Sequence, residues 1–322
     1  MSTDWRPTAS VQTLRSRAAM LADARAFFAA RGLLEVETPT LSAAAVSDPQ
    51  IESLCSAVSG IAGRFYLCTS PEYAMKRLLA AGSGDIYQIC RVFRDGERGR
   101  WHNPEFTMIE WYRLGHDDDM LMRETGALVA QLLAPHRRLA AAERLTYAQA
   151  LQRHAGVDTG TADERLLARA AADHGIVCDA SLDRDGYLDL LMALVVGPRL
   201  GRDDTPTFIC DYPPSQASLA RIKPGSPPVA ARFELYLDGV ELANGFHELN
   251  VASEQRARFE QDLDKRRSRG QREVPLDSRL LDALAAGLPD CAGVALGLDR
   301  LVAVAVGAGS LRDVMAFPID NA

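Results

Sequence analysis

Two β-rich runs, DIYQICRVFR (85–94) and FTMIEWYRL (106–114), flank a connection loaded with Gly and charge, GERGRWHNP. Runs of this composition separated by such a segment predict an antiparallel hairpin with a long loop. On the second strand a two-residue period puts Phe106, Glu110 and Tyr112 on one face. An aromatic ring, a carboxylate and a phenol lining one surface can hold a planar ligand and an amine. For any one of these residues alone, a half-buried amphipathic hairpin is an equally good account. Arg94 closes the first strand, and His102-Asn103-Pro104-Glu105 closes the loop.

Around this hairpin, Leu14, Ala18, Leu21 and Phe28 recur at helical spacing, predicting a helix over about 11–31 that stops at Arg31-Gly32. RFYLC (64–68), TFICDY (207–212) and RFELYLDG (232–239) read as strands. Residues 117–134, roughly 163–196, 253–269 and 277–286 read as helices, and GVALGLDRLVAVAVG (293–307) as a strand running into a helix. Strands clustered with separate helical runs, rather than strict βαβα alternation, predict an α+β fold with a largely antiparallel sheet. There is no internal repeat or low-complexity linker. The expectation is a single domain over 1–322 with a helical insertion around 137–205.

Composition narrows the class. With 47% hydrophobic and 25% charged residues the 322-residue chain matches soluble globular proteins. Its net charge of −7 and the lack of a Lys/Arg run that stands out weigh against extensive RNA contact. Cys55, Cys68, Cys90, Cys178, Cys210 and Cys291 are scattered, with no CxxC pair, so neither a zinc site nor a disulfide framework is expected. No signal peptide or membrane-spanning stretch is evident, which makes the expected location cytoplasmic.

VELANGFHEL (240–249) carries a second, separate signal. Asn244-Gly245 is a preferred two-residue hairpin turn. Counting outward from it, Ala243 faces Phe246, Leu242 faces His247 and Glu241 faces Glu248. Two carboxylates directly across a hairpin destabilise it unless something positive sits between them, and Mg²⁺ would serve. The alternative is two solvated carboxylates on a surface hairpin. No role falls to His247.

Taken together, these segments have a family resemblance. FR…RWHNPEFTMIEWY resembles motif 2 of the class II aminoacyl-tRNA synthetases, in its lysyl form. RGLLEVETPTL (31–41) resembles motif 1, whose Pro39 lies near the dimer interface in that superfamily, and GVALGLDRLV (293–302) resembles motif 3. TSPEYAMKRLLAAG (69–82) and VELANGFHEL look like the lysyl branch's substrate and metal segments. Five blocks in the right order span nearly the whole chain. The resemblance implies a class II catalytic core, a mainly antiparallel β-sheet flanked by helices, acting as a homodimer.

It also implies roles. Arg94 would bind the α-phosphate of ATP and the substrate carboxylate, since a planar guanidinium can hold two oxygens at once. Arg300 would contact the γ-phosphate and stack on adenine, with Phe106 on the opposite face of the base. The competing account of Arg300 is a surface pair with Asp299. Asn103, Leu242 and Gly297 complete the ATP set. One departure stands out: the usual motif 2 has Glu two residues after its Arg, whereas here Asp95-Gly96-Glu97 follow Arg94. Either Glu97 takes over or backbone at Asp95-Gly96 meets the nucleotide. Glu241 and Glu248 would be the Mg²⁺ carboxylates, with Glu248 nearer the substrate. Ser70, Pro71, Glu72, Tyr112, Glu248 and Ala295 would line the substrate pocket. Carboxylates gathered there favour a diamino acid, because uncharged or acidic substrates would leave them unpaired.

Lysyl-tRNA synthetases place an anticodon-binding OB-fold before motif 1. Here motif 1 begins at about residue 31, leaving no room for it. The chain therefore resembles the bare-core family of this branch, the elongation factor P–(R)-β-lysine ligases. That resemblance implies (R)-β-lysine as substrate and elongation factor P as acceptor, with no tRNA. Ala295 stands where lysyl-tRNA synthetases have Gly, and its methyl would crowd an α-amino group but spare a β-amino acid. Two other readings stay open: a truncated lysyl-tRNA synthetase paralogue using α-lysine, and an inactive regulator. Intact Arg94, Glu241, Glu248 and Arg300 count against the regulator.

Overall fold

The two β-rich runs form the expected hairpin. In the computed structural model, which describes residues 5–178 and 182–322, strands Ile86–Phe93 and Glu105–Leu114 pair antiparallel from Ile86↔Tyr112 to Phe93↔Glu105. Cys291–Gly297 pairs antiparallel on the other edge of Glu105–Leu114, with Gly293 opposite Tyr112, Ala295 opposite Glu110 and Gly297 opposite Met108. Leu34–Glu35 adds a short parallel strand beside Ile86–Tyr87. This register decides the site, because it lines up the motif 2 strand with the motif 3 strand residue by residue.

The chain divides into two compact units, one running to Asp117 and resuming at Glu248–Ala322, the other Asp118–His247. In the first unit the Val11–Ala29 helix is capped by Ser10, whose Oγ accepts the Thr13 N–H at 3.0 Å, and it ends before Gly32, at φ 75°. Its Phe28 stacks on Tyr87 at 4.4 Å and approaches Trp111 at 5.3 Å, so the helix seals the sheet with aromatic area. The Glu72–Ala80 helix packs against Ser278–Gly287, which also meets Ala252–Ser268. Cys291–Gly297 runs directly into the Leu298–Val306 helix.

In the second unit, Val229–Leu237 and Val240–His247 pair antiparallel, and Thr207–Tyr212 pairs on the other side of Val229–Leu237. Here the structure corrects the sequence reading. The turn lies at Asp238-Gly239, both with positive φ (55° and 77°), and Leu237 pairs with Val240. Asn244 and Gly245 sit inside the strand opposite Glu234 and Phe233. Glu241 is therefore opposite Tyr236, not Glu248. Two turn dipeptides compete six residues apart, and Asp-Gly wins because it leaves alternating apolar runs of full length on both sides.

Among the described residues between 137 and 205 lie the Glu143–Thr146 strand, parallel to Thr207–Cys210, and three α-helices: Tyr147–Ala155, Glu164–Asp173 and Arg184–Leu191. A Thr146/Gln149 capping box starts the first of these and Gly156, at φ 69°, ends it. Leu151, Leu167, Leu188, Val196, Ile209 and Tyr212 share one buried cluster. All six cysteines are free thiols. Among the described residues no helix is long and apolar enough to cross a membrane.

Candidate active site

A buried acidic cluster in the first unit is built on three elements. Ser70 starts the Glu72–Ala80 helix by accepting the Glu72 N–H at 3.0 Å, and its hydroxyl donates to Glu110 Oε2 at 2.7 Å. Tyr112, two residues along the strand, donates its hydroxyl to Glu110 Oε1 at 2.7 Å. Glu110 and Tyr112 are each 2% exposed. Burial pushes the Glu110 carboxyl up to about 7, with Glu72 adding to the rise and the two hydrogen bonds opposing it. Burial and the neighbouring Glu110 carboxyl likewise raise the Tyr112 phenol, so it stays a donor.

A cation lies among these acids. Lys76 Nζ is 2.7 Å from Glu72 Oε1 and 2.6 Å from Glu248 Oε2, and both Lys76 and Glu248 are 1% exposed. Burial by itself would lower the lysine, but Glu248 and Glu72 outweigh it and hold the ammonium protonated. Glu248 is pushed upward by the same burial and pulled back by Lys76. Its backbone N–H donates to Cys291 O at 3.0 Å, which ties it to the motif 3 strand.

Gly293 lets Tyr112 and Glu248 pack directly against the motif 3 strand. A Cβ there would lie 2.2 Å from Tyr112 Cε1 and 2.6 Å from Glu248 Oε1, so only Gly fits at this register position. Ala295, opposite Glu110 and half-buried, presents its methyl one pleat further along the same strand.

Most of the residues that the resemblance assigns to ATP gather at the hairpin's loop end. Arg94 donates to Thr69 O at 3.3 Å and pairs with Glu97 at 3.4 Å, while its guanidinium lies 5.2 Å from the Phe106 ring. Glu97 thus stands beside Arg94 despite the extra residue. Gly96, at φ 76°, makes that possible by letting the chain bulge. Asp95 is held elsewhere, its N–H on Glu52 O and its carboxylate on the Gly96 N–H.

Arg300, on the motif 3 helix, donates to Trp101 O at 3.2 Å and meets His102 Nε2 at 2.9 Å. A guanidinium only donates, so Nε2 accepts; burial and the adjacent Arg300 charge lower the His102 pKa and keep it neutral. The competing account of Arg300, a surface pair with Asp299, does not hold. Asp299 is buried against Arg17 Nη1 at 2.6 Å and accepts the Thr107 N–H at 2.6 Å. Asn103 donates to Glu105 O at 2.7 Å and accepts the Ile319 N–H at 3.0 Å, which fixes the loop. Gly297 caps the Arg300 helix.

Two expected residues belong to the other unit: Glu241, half-buried in its strand, and Leu242, 2% exposed. For a divalent cation, Glu248 is a poor fit, because an ammonium already lies 2.6 Å from its Oε2. Sequence reading passed over Lys76 and Gly293, and noticed Glu110 without placing it in the site. A signal for Lys76 was present. Glu72, Met75, Lys76 and Leu79 form one helical stripe, and a lysine on an otherwise buried stripe four residues after a glutamate marks an internal pair.

With the site described, comparison with known proteins adds its own evidence. Residues 2–321 match the family described as tRNA synthetases class II (D, K and N). Proteins named elongation factor P–(R)-β-lysine ligase from Salmonella dublin, Salmonella paratyphi B and Salmonella heidelberg are each 52% identical over 324 residues, covering 99% of this chain and 98% of theirs. The match runs through both units and every motif discussed above, so the chain belongs to the class II tRNA synthetase family of the D, K and N type.

Proposed function

We propose that the protein activates (R)-β-lysine with ATP as an adenylate and transfers the acyl group to the ε-amine of a lysine of elongation factor P. The observation that carries this reading is the buried acidic cluster of Glu72, Glu110 and Glu248 with Tyr112, packed on Gly293, on a chain 52% identical to ligases so named. Such a pocket rewards a substrate with two ammonium groups and penalises one that leaves carboxylates unpaired.

In the first step the substrate carboxylate attacks the α-phosphorus of ATP and pyrophosphate departs. Arg94 holds the negative oxygens of both reactants, and its stack on Phe106 aims the guanidinium. Arg300, held by Trp101 and neutral His102, is assigned to the terminal phosphates. Asn103 keeps the loop in register, and Gly297 is assigned to the nucleotide. In the second step the neutral ε-amine of the acceptor attacks the acyl carbonyl and AMP leaves. No side chain need act as nucleophile; positioning and charge neutralisation supply the rate. Mg²⁺ is assigned to the nucleotide and Glu241, where it would neutralise phosphate charge; Glu248 is assigned to the amine. The reading includes a cytoplasmic homodimer, with Pro39 near the interface, and no tRNA.

Substrate-dependent ATP–pyrophosphate exchange tests it, followed by mass analysis of elongation factor P. Exchange with (R)-β-lysine well above α-lysine, and an acyl-lysine mass gain on the factor, are the expected results. A preference for α-lysine would sink the β-lysine assignment in favour of a lysyl-tRNA synthetase paralogue. Exchange with neither would leave a regulator.

A further inference from the structure

We propose that Lys76 is a positioning residue that sets the charge of the amine pocket: its ammonium, clamped between Glu72 and Glu248, compensates one buried carboxylate and leaves two for the substrate's two ammonium groups. This deepens the function proposed above and rests on it.

The count comes from the geometry. Glu72, Glu110 and Glu248 converge with low exposure, and Lys76 is the cation that an ion pair places among them. With all three carboxylates ionised, which a bound ammonium favours for the raised Glu110, the one lysine ammonium leaves a net charge of −2 for the substrate to meet. A lysine-type substrate brings two ammonium groups to this end, while its carboxylate is directed to Arg94. A substrate with one amine leaves a buried charge unmatched, and a substrate with none leaves two.

The position also argues against a packing role. Lys76 lies on the buried stripe of its helix with Met75 and Leu79, where Leu or Met would satisfy packing without any desolvation cost. A lysine there is worth its burial only if its charge is used. It is used twice, at 2.7 Å and 2.6 Å, on the two acids that come from different segments of the chain. Lys76 therefore fixes the spacing between Glu72 and Glu248.

The test is ATP–pyrophosphate exchange with the full chain and (R)-β-lysine, comparing wild type with Lys76→Met, a neutral side chain of similar length. Removing one partner of a buried ion pair should raise the KM for the diamino acid by at least ~100-fold while the KM for ATP moves less than about threefold. Lys76→Ala supplies a second readout. n-Butylammonium should restore at least about a tenfold share of the loss, and n-butanol, which fills the same space without charge, should not. If Lys76→Met does not fold, thermal midpoints of Lys76→Ala carry the same comparison: recovery with the ammonium alone supports the proposal. A KM within about threefold of wild type in Lys76→Met, or equal rescue by butanol, overturns it. Wild-type protein that fails to exchange with any diamino acid would instead sink the function reading on which it rests.

Discussion

Arg17 and Asp299, 282 residues apart in sequence, form a bidentate junction: Arg17 Nη1 meets Asp299 Oδ1 at 2.6 Å while Nη2 donates to Thr107 Oγ1 at 2.6 Å. Asp299 closes the ring by accepting the Thr107 N–H at 2.6 Å. The junction joins the first helix, the motif 2 strand and the motif 3 helix, and it leaves Arg300 to turn toward the loop. Asp299 is 2% exposed and Arg17 14%. Arg17→Ala should therefore strand a buried carboxylate and cost about 3 kcal/mol of stability, seen as a lower urea midpoint. Because the junction sets where the Arg300 helix begins, the KM for ATP should rise with it. Unchanged urea midpoint and KM would show the junction to be incidental.

Arg94 makes a sharper prediction for the chemistry. Arg94→Ala should lower kcat/KM for pyrophosphate exchange by ~100-fold or more, as loss of a group that stabilises developing charge does. Arg94→Lys should recover only part, since an ammonium cannot hold two oxygens in one plane or stack on Phe106. Full activity in Arg94→Lys would mean that net charge alone matters there.

Most of the scaffold was legible in the sequence, and the gaps have physical causes. The 11–31 helix, the motif 2 hairpin and the strand-to-helix run at 293–307 carry strong periodicity and came out within a few residues. The Asn244-Gly245 turn did not, because a turn dipeptide is only a local preference. Asp238-Gly239 is a rival signal of the same strength, and sheet register with Val229–Leu237 chose between them. In the candidate site, Arg94, Glu72 and Tyr112 were singled out by motif. Lys76 was missed because a lysine in a helix is ordinarily solvated, and only tertiary packing turns it inward. The Arg17 partner of Asp299 was not foreseen for a similar reason: it is 282 positions away and no local pattern announces it.

Gly293 tests the shape of the pocket. A methyl at this position would overlap the Tyr112 ring and lie 2.6 Å from Glu248 Oε1, and both neighbours are buried. Gly293→Ala should cost ~1–3 kcal/mol of stability through overpacking. Its effect on function should be selective, with KM for the diamino acid rising far more than KM for ATP. Equal changes in both would point to general unfolding of the site, which thermal denaturation of the variant would expose.

Glu110 gives the pH dependence its sign. Burial raises its carboxyl from an ordinary 4.5 to about 7. Between those values the unfolded chain is ionised at this position while the folded protein keeps the proton, so folding takes up a proton. The contribution to stability is then full below about pH 4.5, falls as pH rises, and levels off above about 7. Glu110→Gln removes the titration while keeping the side chain's shape and an acceptor for Ser70 or Tyr112. Urea unfolding of both proteins between about pH 5 and pH 8 should show wild type losing ground to the variant by on the order of 2 kcal/mol across that interval. A difference that stays constant with pH would mean that Glu110 is already ionised in the folded protein. The pocket would then hold its full negative charge before any amine arrives.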